Sequence, residues 1–207
     1  MRSVGCVLIA LVGIAPLAPS PARADEASDT FRAGVRLLKE HKPREAVEAF
    51  QKVAQLRPDY PQVFAYLGDA WLQLKEYDKA AASYKESLGI DRPGEECLRA
   101  LNGLGCAYLG LTTAPKNEGL VWEAIACFDQ AIKVSPQFAP AYNNRGRAYH
   151  LKKELDRAIA DFGKAIEFDP GYADAYENRG KAWKDKGDEK RAEADFAKAR
   201  ELRAKKK

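Results

Sequence analysis

Residues 142–170 open with Tyr142-Asn143-Asn144-Arg145-Gly146-Arg147-Ala148-Tyr149, pass through Ala158-Ile159-Ala160-Asp161-Phe162, and close at Pro170. Tyr142, Gly146 and Tyr149 stand at i, i+4 and i+7, and so do Ala158, Phe162 and Ala165. That spacing places each trio on one stripe of a helix. Pro170 ends the second stripe, because proline has no N–H to give and its ring clashes with a preceding carbonyl. The stretch therefore reads as helix, turn, helix.

Working outward, the same reading fits four more times. Gly34, Gly68, Gly105, Gly146 and Gly180 follow one another by 34, 37, 41 and 34 residues, and Ala46, Ala80, Ala124, Ala158 and Ala192 by 34, 44, 34 and 34. Four residues after each alanine comes an aromatic, namely Phe50, Tyr84, Phe128, Phe162 and Phe196. Three beyond that stands a mostly small residue: Val53, Ser87, Ala131, Ala165 and Ala199. Leu37, Trp71, Tyr108, Tyr149 and Trp183 follow the glycines by three. Glycine and alanine remove bulk where two helices cross, and the aromatics fill the space around that close approach. Glu45, Asp78, Glu123, Asp156 and Asp188 fall at or just before the first turn of each second helix, where the dipole favours negative charge. A lone helical pair cannot bury its apolar face, so the units must stack into a quasi-linear core.

The runs Phe64-x-x-Leu67-Gly68-x-x-Trp71…Ala80-x3-Tyr84, Tyr142-x-x-Arg145-Gly146-x-x-Tyr149…Ala158-x3-Phe162…Pro170 and Tyr176-x-x-Arg179-Gly180-x-x-Trp183…Ala192-x3-Phe196 resemble the tetratricopeptide repeat family, over about residues 27–206. Thr30, the Arg92-Pro93 pair and Ala204 depart from its pattern. The resemblance implies an all-α, right-handed superhelical solenoid with repeats at about 27–60, 61–94, 98–138, 139–172 and 173–206. It also implies that the first helix of each pair lines a concave groove. That face would carry Phe31, Val35 and Leu38, then Tyr66, Asp69 and Leu72, then Asn102 and Cys106, then Asn143, Asn144, Arg147 and His150, and last Glu177, Asn178 and Lys181. Of these, Tyr66, Asp69, Asn102, Asn143, Asn144, Arg147, Asn178 and Lys181 are the candidate partner-binding residues, since such groups can hydrogen-bond the backbone or acidic groups of an extended peptide. A hydrated face is the alternative, because Asn-Arg-Gly recurs in the fourth and fifth units and can reflect shared ancestry. One subfamily clamps a C-terminal carboxylate; here Cys106 replaces a needed Asn and Asp174 a needed Lys, although Asn144 fits.

Residues 1–24 read as a secretory signal peptide: Arg2, an apolar run from Val4 to Ala15, prolines at 16, 19 and 21, and an Ala22-Arg23-Ala24 cleavage site. The run is shorter than the ~20 residues that cross a bilayer core, which disfavours a retained anchor. No later segment is apolar enough to span a membrane. Cys6 precedes the apolar run, so it is not a lipid-attachment site. The expected location is periplasmic or secreted, in a bacterium. Removing this leader leaves residues 25–207 with 32 basic and 30 acidic side chains. A net charge of +2 argues against general nucleic-acid binding. The basic tail from Lys198 to Lys207 suits a solvated helix end.

Between Gly105 and Ala124 lie 19 positions against 12 in the other units, an insertion of seven residues around Thr112 to Glu118, and three more about Glu95-Glu96-Cys97 precede the third unit. The turn either carries recognition or is tolerated length variation. Cys97, Cys106 and Cys127, an odd set in a disulfide-permitting compartment, read as small apolar side chains with at least one left free or paired between chains. No Cys/His cluster suggests a metal, nothing implies a cofactor, and no nucleophile elbow, phosphate loop, zinc helix or dinucleotide fingerprint is present. A Cys106–His150 pair would lack an oxyanion hole. The chain therefore reads as a non-enzyme. Two functions stay in competition: an exported scaffold that binds a peptide or protein in its groove, as in envelope assembly or quality control, and a structural module that self-associates into a homo-oligomer through its terminal units.

Overall fold

Each glycine–aromatic register becomes a pair of helices. The computed structural model describes residues 21–90, 95–112 and 119–205. These residues form α1 (Pro21–Lys39) and α2 (Pro43–Leu56), α3 (Pro61–Gln73) and α4 (Tyr77–Gly89), and α5 (Glu95–Leu111) and α6 (Leu120–Val134). They continue with α7 (Ala139–Leu151) and α8 (Leu155–Phe168), then α9 (Ala173–Asp185) and α10 (Glu189–Ala204). No strand occurs among the described residues. Each helix packs on the next in sequence, and successive first helices also touch: α1 with α3, α3 with α5, α5 with α7, α7 with α9. That nearest-neighbour pattern is an all-α solenoid.

The crossings follow from missing atoms. A Cβ built on Gly34 would lie 2.6 Å from the Phe50 ring, on Gly68 2.6 Å from Tyr84, on Gly105 2.5 Å from Phe128, and on Gly146 and Gly180 2.7 Å from Phe162 and Phe196. The ring of every second helix thus lies close against the first helix's backbone. Phe50, Tyr84, Phe128 and Phe162 are fully buried. Phe196 stays half-buried, with no helix packed over α10 from its far side among the described residues.

The turns inside the units repeat as closely as the crossings. His41, Lys75, Lys153 and Gly187 adopt left-handed φ values of 58°, 60°, 61° and 88°. Each donates its N–H back to the carbonyl three residues before, and the next residue donates to the carbonyl five before: Lys75 to Leu72 with Glu76 to Trp71, Lys153 to His150 with Glu154 to Tyr149. This is the Schellman arrangement that closes a helix. Glu45, Asp78, Glu123 and Asp156 lie in the first turns of α2, α4, α6 and α8. Asp188 caps α10 by accepting from the Arg191 N–H at 2.9 Å.

The third unit is the exception. Its first helix has 17 residues where α3, α7 and α9 have 13. Glu95-Glu96-Cys97 are absorbed as its opening turn, so those extra residues lengthen the helix. Of the inserted turn, residues 113–118 lie outside the described residues, as do residues 1–20 of the expected leader. Pro21 to Ala24 open α1, and Ala27 already packs in the first core cluster. No described helix is long and apolar enough to cross a membrane.

Candidate partner-binding groove

Three adjoining cavities line the face made by the first helices. The largest, about 770 Å³, is walled by Phe31 of α1, Tyr66, Asp69 and Leu72 of α3, and Leu98, Arg99, Asn102 and Cys106 of α5. Phe138 and Pro140 close its far side. A second, about 490 Å³, shares Leu72 and Cys106 with the first and adds Tyr77, Leu109, Arg147, His150 and Leu151. The third, about 350 Å³, shares Arg147 and Asn178 with the second and adds Asn143, Asn144, Tyr172, Asp174, Glu177 and Arg203. Shared walls make one groove that passes from mixed to mainly polar.

At the aromatic end the side chains hold one another. Tyr66 meets Phe31 edge-on with ring centroids 5.2 Å apart, and Arg99 lies 4.3 Å above the Tyr66 ring. Asp69 accepts from the Tyr84 hydroxyl at 2.6 Å and from Arg99 at 2.7 Å. Burial raises the Asp69 carboxyl above the ordinary range, against the opposing pull of these two donors. Burial likewise raises the Tyr84 hydroxyl, and the neighbouring Asp69 charge adds to the shift.

The polar end is organised by a relay of asparagines. Asn178 of α9 donates to the Asn143 carbonyl oxygen at 2.9 Å, Asn143 to that of Asn144 at 3.4 Å, and Asn144 to that of Asn102 on α5 at 2.9 Å. All donors point one way, so each bond polarises the next. Asn143 and Asn144 are 4% and 7% exposed, which makes them the groove's floor. The ends of the relay face outward: Asn102 keeps an amide donor and Asn178 a carbonyl acceptor with no further partner among the described residues.

The structure brings Tyr66, Asp69, Asn102, Asn143, Asn144, Arg147 and Asn178 to this one face. Lys181 lines none of the three cavities; it is exposed and pairs with Glu177, one helical turn away, at 2.6 Å. Leu38 is a core residue and Val35 packs against that core, because the first unit's groove side is where α1 meets its neighbours. Arg99, Phe138 and Tyr172 were not legible as groove residues. Arg99 sits before the motif glycine of α5, and Phe138 and Tyr172 are cap residues of α7 and α9. The stripe of the first helices does not reach the two caps, although Tyr60, Phe138 and Tyr172 recur eight residues before Gly68, Gly146 and Gly180.

Cys97, Cys106 and Cys127 are free and half-buried. Burial pushes the Cys106 thiol up to about 11, so it is a protonated thiol at neutral pH. His150 places its Nε2 2.9 Å from Asp185 Oδ2, and no hydrogen bond joins it to Cys106 among the described residues.

Comparison with known proteins agrees with the helical pairs. A family model described as tetratricopeptide repeat matches residues 31–96, and a second, described as TPR repeat, matches 121–153 and 146–187; together they take in more than half of the chain. The chain is a tetratricopeptide repeat protein. It is 31% identical over 93 residues to the chloroplastic tetratricopeptide repeat domain-containing protein PYG7 of Arabidopsis thaliana. That match takes in 44% of this chain and 29% of PYG7, so the repeat protein spans under a third of that relative's length. Among solved structures it is similar to TTC0263, a thermophilic repeat protein of Thermus thermophilus, with a TM-score of 0.75 at 23% identity over 86% of this chain and 96% of that one. MamA of Desulfovibrio magneticus superposes with a TM-score of 0.67 at 24% identity, over 87% and 97% of the two chains. YrrB, described as a repeat protein with an unusual peptide-binding site, gives 0.59 at 18% identity over 86% and 87%. At these identities the likeness is one of fold.

Proposed function

We propose that this repeat protein is an exported interaction scaffold that holds an extended segment of a partner protein in the groove between Phe31 and Arg203, in assembly or quality control of the bacterial cell envelope. The observation that carries the reading is the pairing of a cavity of about 770 Å³, in which Phe31, Leu72, Leu98 and Phe138 stand among polar side chains, with outward-facing Asn102, Arg147 and Asn178 on one continuous face. A cavity supplies affinity through burial of apolar surface, and convergent polar groups fix the ligand's register. The peptide-binding site named for YrrB on a similar fold is in keeping with it. Export rests on the leader at residues 1–24. Cleavage after Ala24 would spare Ala27 and Phe31, the first residues of α1 that pack inward.

Photocrosslinking in cells tests the site. A crosslinking side chain at Leu72 or Asn178 should give one common adduct, and the same group at Lys164 or Arg200 on second helices should give none. Adducts from the second helices alone would remove the groove from consideration. Mass spectrometry of the N-terminus tests export, which predicts Asp25 as the first residue.

A further inference from the structure

Arg147 stands at the centre of the groove and lines both its second and third cavities. Its guanidinium donates to Asn144 Oδ1 at 3.1 Å and makes no ion pair among the described residues. The other arginines on these walls are held by acids: Arg99 by Asp69 at 2.7 Å, Arg203 by Asp174 at 2.7 Å and by Glu177 at 2.5 Å. Guanidinium carries five N–H donors in a planar fork matched to a carboxylate, and here one bond uses only part of it.

We propose, resting on the groove reading above, that Arg147 receives an internal Asp or Glu side chain of the partner segment, while a bulky apolar side chain of the same segment fills the cavity among Phe31, Leu72, Leu98 and Phe138. The partner is thus an acidic, apolar-anchored extended segment. Two features make the acid an internal one. The groove continues past Arg147 in both directions, toward Leu72 and toward Asn178, so a chain can run through the position. On the Asn178 side, Asp174 and Glu177 wall the groove with their nearest cations already engaged, which disfavours a second carboxylate at a chain terminus. Asn102 and Asn178 flank the position and can read the segment's backbone.

The test uses short synthetic Ser/Gly peptides, acetylated and amidated, carrying one Phe and one Glu at every relative spacing, with Glu→Gln counterparts and free-carboxylate counterparts, measured by fluorescence anisotropy. At the matching spacing the Glu peptide should bind about tenfold tighter than its Gln counterpart, the scale of one charge-assisted hydrogen-bond pair. Arg147→Gln should erase that preference, so that the Glu and Gln peptides bind the variant equally, with the circular dichroism unchanged because Arg147 is exposed. Equal binding of Glu and Gln peptides, a preference that survives Arg147→Gln, or a requirement for the free terminus would each overturn the acidic subsite while the groove stands. Failure of every Phe-containing peptide to bind would overturn the groove reading and this inference with it.

Discussion

The second and fourth units solve the same crossing with different chemistry. Both lay an aromatic ring on a glycine, Tyr84 on Gly68 and Phe162 on Gly146. Beside that contact the second unit has Leu67 and Ser83, where the fourth has Arg145 and Asp161. Arg145 donates to both Asp161 oxygens, at 2.8 and 2.7 Å, and to Asp129 of the preceding unit at 2.6 Å. The fifth unit repeats the pair with Arg179 and Asp195, at 2.8 Å twice. The second unit makes its polar bonds elsewhere, from Tyr84 to Asp69 and from Asp69 to Arg99 of the third unit. The ring-on-glycine contact is therefore common to the array, and the groups around it vary: apolar and aromatic toward α1, ionic toward α10.

The comparison breaks first if the shared contact is unequal. Tyr84→Ala and Phe162→Ala should each cost about 3–5 kcal/mol, the range for a fully buried aromatic, in urea denaturation followed by circular dichroism. A gap of more than half that range between them would mean that the crossings are not equivalent.

The ionic side is sharpened next. Asp161→Ala should cost about 2–3 kcal/mol, below the fully buried value because Arg145 keeps some exposure and retains Asp129. The double change Arg145→Leu with Asp161→Ser, which gives the fourth unit the second unit's residues, should recover most of that loss. A double variant no more stable than Asp161→Ala would show that the pair cannot be exchanged for apolar packing.

A smaller effect lies in the second unit. Tyr84→Phe removes a donor from Asp69 and should cost about 1 kcal/mol. It should also move the Asp69 carboxyl further above its ordinary value, since the Tyr84 hydroxyl is one of the groups that lowers it. An acid whose folded pKa is raised contributes stability that is present below the unfolded value and is lost as pH rises through the folded one. Tyr84→Phe should therefore lose more stability at neutral pH than below the ordinary Asp range, as read from melts across pH and from a carboxyl NMR titration of Asp69. Equal losses at both ends would detach Tyr84 from Asp69.

The least effect concerns the turns, where the two units agree. Lys75→Gly and Lys153→Gly relieve left-handed φ values of 60° and 61° and should each stabilise by about 0.5 kcal/mol, after the greater freedom of an unfolded glycine is counted. Thermal melts of the two variants should shift upward together; a shift in one alone would show that the turns differ.

The fold was legible because a repeat states its rule five times. Gly146 and Phe162 alone fit many helical pairs, but five such pairs in phase specify the crossing, the turn and the stack. The groove was legible in part. Asn102, Asn144 and Asn178 lie on the first helices α5, α7 and α9, and the helical period carries them to one face. Lys181 and Leu38 show where the period runs out: a helix face has two flanks, and which flank a neighbour covers depends on the angle between units.

From its own residues, the chain determines the starts and stops of its helices, the glycine–aromatic crossings and the stacking of units, since these arise from contacts within a hairpin or between adjacent ones. Tertiary structure alone decided which polar groups meet across units: Asp69 with Arg99, Asn178 with Asn143, Asn144 with Asn102, and Arg147 with no acid among the described residues. Such pairings hang on angstrom-scale offsets between successive hairpins, and those offsets are summed from the packing of whole helices, so no spacing in the sequence records them.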